Sequence, residues 1–148
     1  MPEDENRRLF QRYFDETNAD NLDVLDEIFA TDYLHHDPAN PDPRPVVGPQ
    51  GVRDHLVSLK SAFPDLKFEV DEMVADGEDI VVRWTARGTN TGDYFGMPAT
   101  NRPIEITGMN TWTTRDGQAI EGWVNRDDML MMQQLGVVPS PGEAPATT

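Results

Sequence analysis

The 148-residue chain predicts an α+β domain, a curved antiparallel sheet wrapped with about three N-terminal helices into a cone. Three observations predict it. Apolar residues recur at helical spacing as far as Ala62, and from Leu66 onward they alternate with polar ones. Two Asp-Gly pairs, Asp76-Gly77 and Asp116-Gly117, punctuate the alternating half as tight hairpins do. Helices that precede a run of antiparallel strands pack on one face of the sheet, and a curved sheet closed by helices leaves a pocket between the layers.

The elements follow in order. From Glu3 to about Asn18, Leu9, Phe10, Tyr13 and Phe14 mark one helical face. Asp20 is placed to cap a second short helix with Leu22, Leu25, Ile28 and Phe29 on its face. Tyr33-Leu34-His35-His36-Asp37-Pro38 reads as a short extended piece stopped by proline, and a polar loop with Pro38, Pro41, Pro43 and Pro45 follows. Gly48-Pro49-Gln50-Gly51 opens a third helix from Val52 to about Ala62, with Val52, Leu56 and Leu59 on one side; Pro64 ends it. Strands then run through Leu66, Phe68 and Val70; through Ile80, Val82, Trp84 and Ala86; from Ile104 to Thr114; and from Gln118 onward, with a glycine-rich loop from Gly88 to Asn101. One domain spans 1–138, and 139–148, rich in Pro, Ala and Thr, is expected to be a disordered tail.

The net charge of −15, from 27 acidic against 12 basic residues, argues against nucleic acid and anionic membranes as partners. No segment has the roughly 20 consecutive apolar residues of a membrane span. The start, Met1-Pro2-Glu3-Asp4-Glu5, resembles neither a signal nor a transit peptide, so a cytoplasmic soluble protein is expected. Without cysteine there is no disulfide frame, thiol nucleophile or thiolate metal site. Lys60 and Lys67 are the only lysines beside many carboxylates, a composition that suits a cytoplasm rich in salt.

The densest chemistry lies near the end. Read as a strand, 118–128 places Glu121, Trp123, Asn125 and Asp127 on one face, as a cavity wall that binds an organic guest and moves a proton would require. A carboxylate buried against Trp123 would have a raised pKa and be a better base. Asp127 or Asp128 also stands where an N-cap is expected, before Met129-Leu130-Met131-Met132; both roles are met if Asp128 caps and Asp127 faces inward. Trp123 and Asn125 would line the pocket, with Trp84, Tyr33 and Asn110 as further contacts, although core packing also accounts for the tryptophans. His36 is a candidate general acid. His35 points the opposite way on an extended segment, and adjacent His35, His36 and Asp37 make a poor metal site, so no metal is expected. His55, on a charged helix face beside Arg53 and Asp54, reads as solvated.

Several strings together carry a family resemblance: His36-Asp37-Pro38, Gly48 to Gly51, Ala62-Phe63-Pro64-Asp65-Leu66, Val81-Val82-Arg83-Trp84, Gly88-Thr89 with Gly92, Gly96-Met97-Pro98-Ala99-Thr100, and Glu121-x-Trp123-x3-Asp127 ending in Gln134-Leu135-Gly136. Over about Leu9 to Val138 the chain resembles the SnoaL-like polyketide cyclases, or ester cyclases, of the nuclear-transport-factor-2-like superfamily. The resemblance implies a cofactor-free enzyme acting on a small hydrophobic carbonyl-containing ligand. It implies intramolecular aldol ring closure with Asp127 as general base and His36 protonating the new alkoxide. It also implies a homodimer formed through the outer sheet face around Arg83, Thr85 and Arg87. The strand 108–114 has no histidine to pair with the aspartate, so the second role falls to His36, Asn110, Asn125 or water. An epoxide-hydrolase-like or ketosteroid-isomerase-like enzyme, or a non-catalytic binding module of the same fold, are the alternatives.

If the acidity is a salt adaptation, screening its self-repulsion will stabilise the fold. The urea midpoint is expected to rise between dilute buffer and molar NaCl; an unchanged midpoint would remove the adaptation.

Overall fold

The computed structural model of the chain describes residues 2–42, 44–139 and 142. The tail expected over 139–148 therefore lies outside the described residues except at 139 and 142. Helix α1 (Pro2–Asn18) carries Glu3, Asp4 and Glu5 in its first turn, where carboxylates complement the helix dipole. Its Phe10 and Phe14 are buried, and Phe10 stacks on Trp112 with ring centroids 4.1 Å apart. Asn18 closes the helix against the sheet edge: its Nδ2 donates to the Phe68 carbonyl at 2.7 Å and its Oδ1 accepts from the Phe68 amide at 2.8 Å.

The second helix is shorter than its periodicity suggests. A 3-10 turn (Leu22–Val24) leads into the single turn α2 (Leu25–Ile28), and Phe29 already begins strand β1 (Phe29–His36). Asp20 does not cap it. Asp20 takes a left-handed conformation with φ 62°, and its carboxylate is held by Lys60, while Asn21 occupies the cap position without a side-chain capping bond, its amide donating to Glu16 instead. After the proline-rich loop comes a two-residue strand, β2 (Val46–Val47), then α3 (Gly48–Ala62), β3 (Lys67–Asp76), β4 (Asp79–Thr89), β5 (Pro103–Arg115), β6 (Gln118–Arg126) and α4 (Asp128–Leu135). None of the described helices is long and apolar enough to cross a membrane.

The strands form one sheet in the order β2-β1-β6-β5-β4-β3. The β3–β4–β5–β6 meander and the β1–β2 pair are antiparallel. One pairing departs from the antiparallel expectation: β1 runs parallel to β6. No hairpin joins these two, since α3 and the meander lie between them in sequence, so no tight turn fixes their direction.

Period-two patterning is strict where it matters. On β4, Ile80, Val82, Trp84 and Ala86 face inward; on β5, Ile104, Ile106, Asn110 and Trp112 do so. Large residues meet small ones across the ladder: Trp84 pairs with Gly108 and Trp112 with Gly122. A Cβ on Gly108 would sit 2.4 Å from the Trp84 ring, and one on Gly122 would sit 2.2 Å from the Tyr33 hydroxyl and 2.6 Å from the Trp112 ring. Each indole therefore packs closely against a bare glycine backbone. On the outer face Arg83 meets Asp71 and Glu72, Arg87 meets Glu69 and Glu105, and the Thr85 hydroxyl donates to Asp71 at 2.6 Å.

Gly122→Ala is expected to destabilise the fold by about 1–3 kcal/mol through overpacking, read as a lowered urea midpoint. A wild-type midpoint would show that Tyr33 and Trp112 can move aside.

Candidate functional site

Between α1, α3 and the inner sheet face lies a small, partly enclosed cavity, about 580 Å³ of non-atom space when the open solvent at its mouth is counted. Phe14, Phe29, Leu56, Leu59, Phe68 and Val124 supply apolar wall, and Tyr13, Trp84 and Trp112 add larger rings. The polar groups that line it are Tyr33, His35, His55, Asn110 and Arg126. No aspartate or glutamate lines it among the described residues. In a chain of net charge −15, the polar lining of the hollow is thus imidazole, phenol, indole, amide and guanidinium, with no carboxylate.

Two hydrogen-bonded pairs organise it. Trp84 Nε1–H donates to Asn110 Oδ1 at 2.7 Å, which fixes the amide and turns its NH2 away from the ring. Trp112 Nε1–H donates to the Tyr33 hydroxyl at 3.1 Å, and that hydroxyl lies 2.7 Å from His35 Nδ1. Across the space His35 and His55 face each other, ring centroids 6.3 Å apart. Burial first, then the positive charge of its neighbours, lowers His35 from 6.5 to about 4. Burial, followed by the Arg126 charge, also lowers His55. Both rings are neutral at pH 7.

Arg126 ends β6 with its side chain 10% exposed. Its Nη1 donates to Asp37 at 2.7 Å and its Nε to Asp128 at 2.9 Å. Burial works against the guanidinium charge, and the two carboxylates more than offset it. The Asp37 side chain is 2% exposed, so the pair ties the end of β1 to the end of β6. Burial raises the Asp128 carboxyl, with the Arg126 charge opposing.

A family model for the SnoaL-like polyketide cyclases matches residues 7–135. The chain belongs to the SnoaL-like polyketide cyclase family. Among solved structures, IdmH from Streptomyces antibioticus, described as a candidate polyketide cyclase, is 30% identical with a TM-score of 0.73, covering 92% of this chain and 99% of that one. TsrD from Streptomyces laurentii is 25% identical, TM-score 0.79, over 90% and 96% of the two chains. A candidate SnoaL-like cyclase from Jannaschia sp. CCS1 has the same fold, with a TM-score of 0.82, 24% identity and coverage of 93% and 95%. No curated protein matches the chain.

In this SnoaL-like domain the residues singled out by sequence fall into two groups. Tyr33, Trp84 and Asn110 line the cavity. Asp127, His36, Trp123 and Asn125 do not, which corrects the expected face of β6. Asp127 is exposed and caps α4, its Oδ1 accepting from the Leu130 amide at 3.0 Å; the expected division of labour with Asp128 is reversed. Trp123 is 47% exposed and stacks on His36 at 4.0 Å. His36 Nε2 lies 2.9 Å from a Glu121 carboxylate oxygen on the same outer side. Asn125 is exposed opposite Met109. The reason is a parity of one residue: on β6 the inward set is Gly122, Val124 and Arg126, and on β1 it is Tyr33 and His35.

Three site residues escaped the sequence reading. In sequence His35 stands beside the candidate His36, Arg126 beside the candidate Asp127, and the charged neighbours of His55 suggest solvent. A signal for His55 exists: 52, 55, 56 and 59 follow the i, i+3, i+4, i+7 rule of one helical face. Tyr13 and Phe14, read as helix core, also form cavity wall. Among the described residues no group of three or more His, Asp or Glu side chains is placed to hold a metal ion.

The buried imidazoles link stability to pH. A histidine whose folded pKa is depressed to about 4 contributes fully above 6.5, and that contribution is lost as pH falls from 6.5 toward 4, at no more than about 1.4 kcal/mol per pH unit. His55 is displaced in the same direction. Wild-type unfolding free energy is expected to drop through this window, and His35→Gln to flatten the drop, both read from urea titrations at fixed ionic strength.

Proposed function

We propose that this chain is a cofactor-independent cyclase-type enzyme acting on a small, apolar, carbonyl-rich compound held in the cavity. The observation that carries this reading is a lining with polar N–H groups and no carboxylate among the described residues. A hollow with N–H groups and no carboxylate on its wall can donate hydrogen bonds to negative charge on a bound oxygen, although the Arg126 charge at its border is already compensated by Asp37 and Asp128. An enolate is the species in ring closure that has it.

His55 is the group free to act as base. No side-chain hydrogen bond occupies either of its nitrogens among the described residues, and its charge-free state at pH 7 leaves a lone pair available. It takes the proton of a C–H between two carbonyls. The electron pair passes to the carbonyl oxygen facing Asn110 and His35. The resulting enolate carbon attacks a second carbonyl of the same molecule, and the imidazolium returns its proton to the alkoxide. One C–C bond forms, one C–H breaks, one O–H forms, and no oxidant is needed. His55 also borders a second, polar hollow with Asp42, Arg44 and Asp54, through which a proton can exchange with solvent.

The test uses a β-keto ester carrying an aromatic ring, ethyl benzoylacetate, and follows exchange of its acidic C–H with D2O by NMR. Wild type is expected to accelerate exchange above buffer. His55→Gln should reduce that acceleration at least ~100-fold, while Asp127→Asn, which keeps the α4 cap shape, leaves it intact. Loss in Asp127→Asn with retention in His55→Gln would reverse the assignment. Binding without acceleration in wild type would make the chain a binding module.

A further inference from the structure

Tyr33 is fully buried, yet its hydroxyl sits between two nitrogen partners, and its proton can be traced by counting. Indole Nε1–H only donates, so at 3.1 Å from Trp112 the phenol oxygen accepts. The phenol has one proton of its own, and the nearest acceptor is His35 Nδ1 at 2.7 Å. Were that nitrogen protonated instead, the phenol proton would have no other protein acceptor among the described residues, and a buried donor left unmade costs about 1–3 kcal/mol. Gly122 supplies the room: any Cβ there would overlap the hydroxyl.

We infer that Tyr33 is a positioning residue that, oriented by Trp112, locks His35 in its Nε2–H tautomer, so that the cavity presents a neutral imidazole N–H to an acceptor oxygen of the ligand. This rests on the cyclase reading for the ligand's carbonyl, but the tautomer itself does not. Burial and the neighbouring charges support the same state, since they keep His35 neutral at pH 7. The consequence for chemistry is a division between the two histidines. His35 Nδ1 is committed to the phenol and its Nε2 holds a proton, so it is a donor and not a base. His55 has no such tether. A neutral imidazole donor polarises a carbonyl without adding the desolvation cost of a second buried cation beside Arg126. With the Asn110 NH2, whose oxygen is taken by Trp84, it makes a two-donor seat that favours carbonyl or other acceptor oxygens over ligands offering only N–H groups.

The tautomer is measured in the ligand-free wild-type protein by 15N NMR of labelled imidazole at pH 7. The expected spectrum has His35 Nδ1 unprotonated and hydrogen-bonded, and Nε2 protonated. A protonated Nδ1 overturns the inference, whatever the protein catalyses. Tyr33→Phe keeps the ring and removes the proton donor; it should shift the His35 tautomer toward Nδ1–H or a mixture, whereas a purely packing role would leave the tautomer unchanged and overturn the lock. If Tyr33→Phe fails to fold, the wild-type spectrum alone decides the tautomer, and Trp112→Phe tests the relay, because it frees the phenol oxygen and should weaken the Nδ1 hydrogen-bond signature. Ethyl benzoylacetate labelled with 13C at its ketone then reports the seat: its carbonyl resonance should move on binding to wild type and move measurably less on binding to Tyr33→Phe. Equal movement in both would sink the proposed contact while leaving the exchange test of His55 standing.

Discussion

Two tryptophan-over-glycine contacts hold the inner face of the sheet in order. Trp84 rests on Gly108 and Trp112 on Gly122, and this close approach fixes where each indole N–H lies. Those two N–H groups then have defined partners, Asn110 and the Tyr33 hydroxyl. Aromatic area and polar direction are thus set by the same pair of residues on neighbouring strands. Phe10 from α1 stacks on Trp112, so the helix that roofs the cavity is registered against the same ring that orients its chemistry.

The architecture was legible because its signals are local. Two Asp-Gly turns, strict alternation along β4 and β5, and a helical face at Val52, Leu56 and Leu59 each speak for their own element, and the family resemblance drew them into one fold. Which side of β6 and β1 faces inward was not legible. Alternation separates Glu121, Trp123, Asn125 and Asp127 from Gly122, Val124 and Arg126, but both sets look purposeful on paper, and only the pairing of Gly122 with Trp112 decides between them. Tyr33 and His36, three apart on an extended strand, could never have shared a face. His55 was misplaced for a different reason: charged neighbours on its helix suggested solvent, while its spacing from Val52 and Leu59 put it on the buried stripe.

Charge is distributed in opposition. The surplus of carboxylates lies on the outside, where Glu69, Glu72, Glu105 and Glu121 stand exposed. The inside holds imidazoles, an amide and one guanidinium. That guanidinium is buried together with the Asp37 carboxylate, and the charge is tolerated because Asp37 and Asp128 close on it from two sides. Removing one member would leave an uncompensated buried charge. Asp127 and Asp128 illustrate the separation: adjacent in sequence, one secures the first turn of α4 from outside while the other turns toward the buried cation.

The phenol lodged over Gly122 has a consequence for how such a scaffold can diversify. With Tyr33, Trp84 and Trp112 wedged against bare backbone, the strands are already filled to their limit, and a larger or smaller guest cannot be accommodated by altering them without dislodging the indole contacts. Latitude remains on the opposite wall, at Phe14, Val52, Leu56 and Leu59, where side chains project from helices into open volume. Selectivity for different guests is therefore free to drift on the helical roof while the floor beneath it stays fixed.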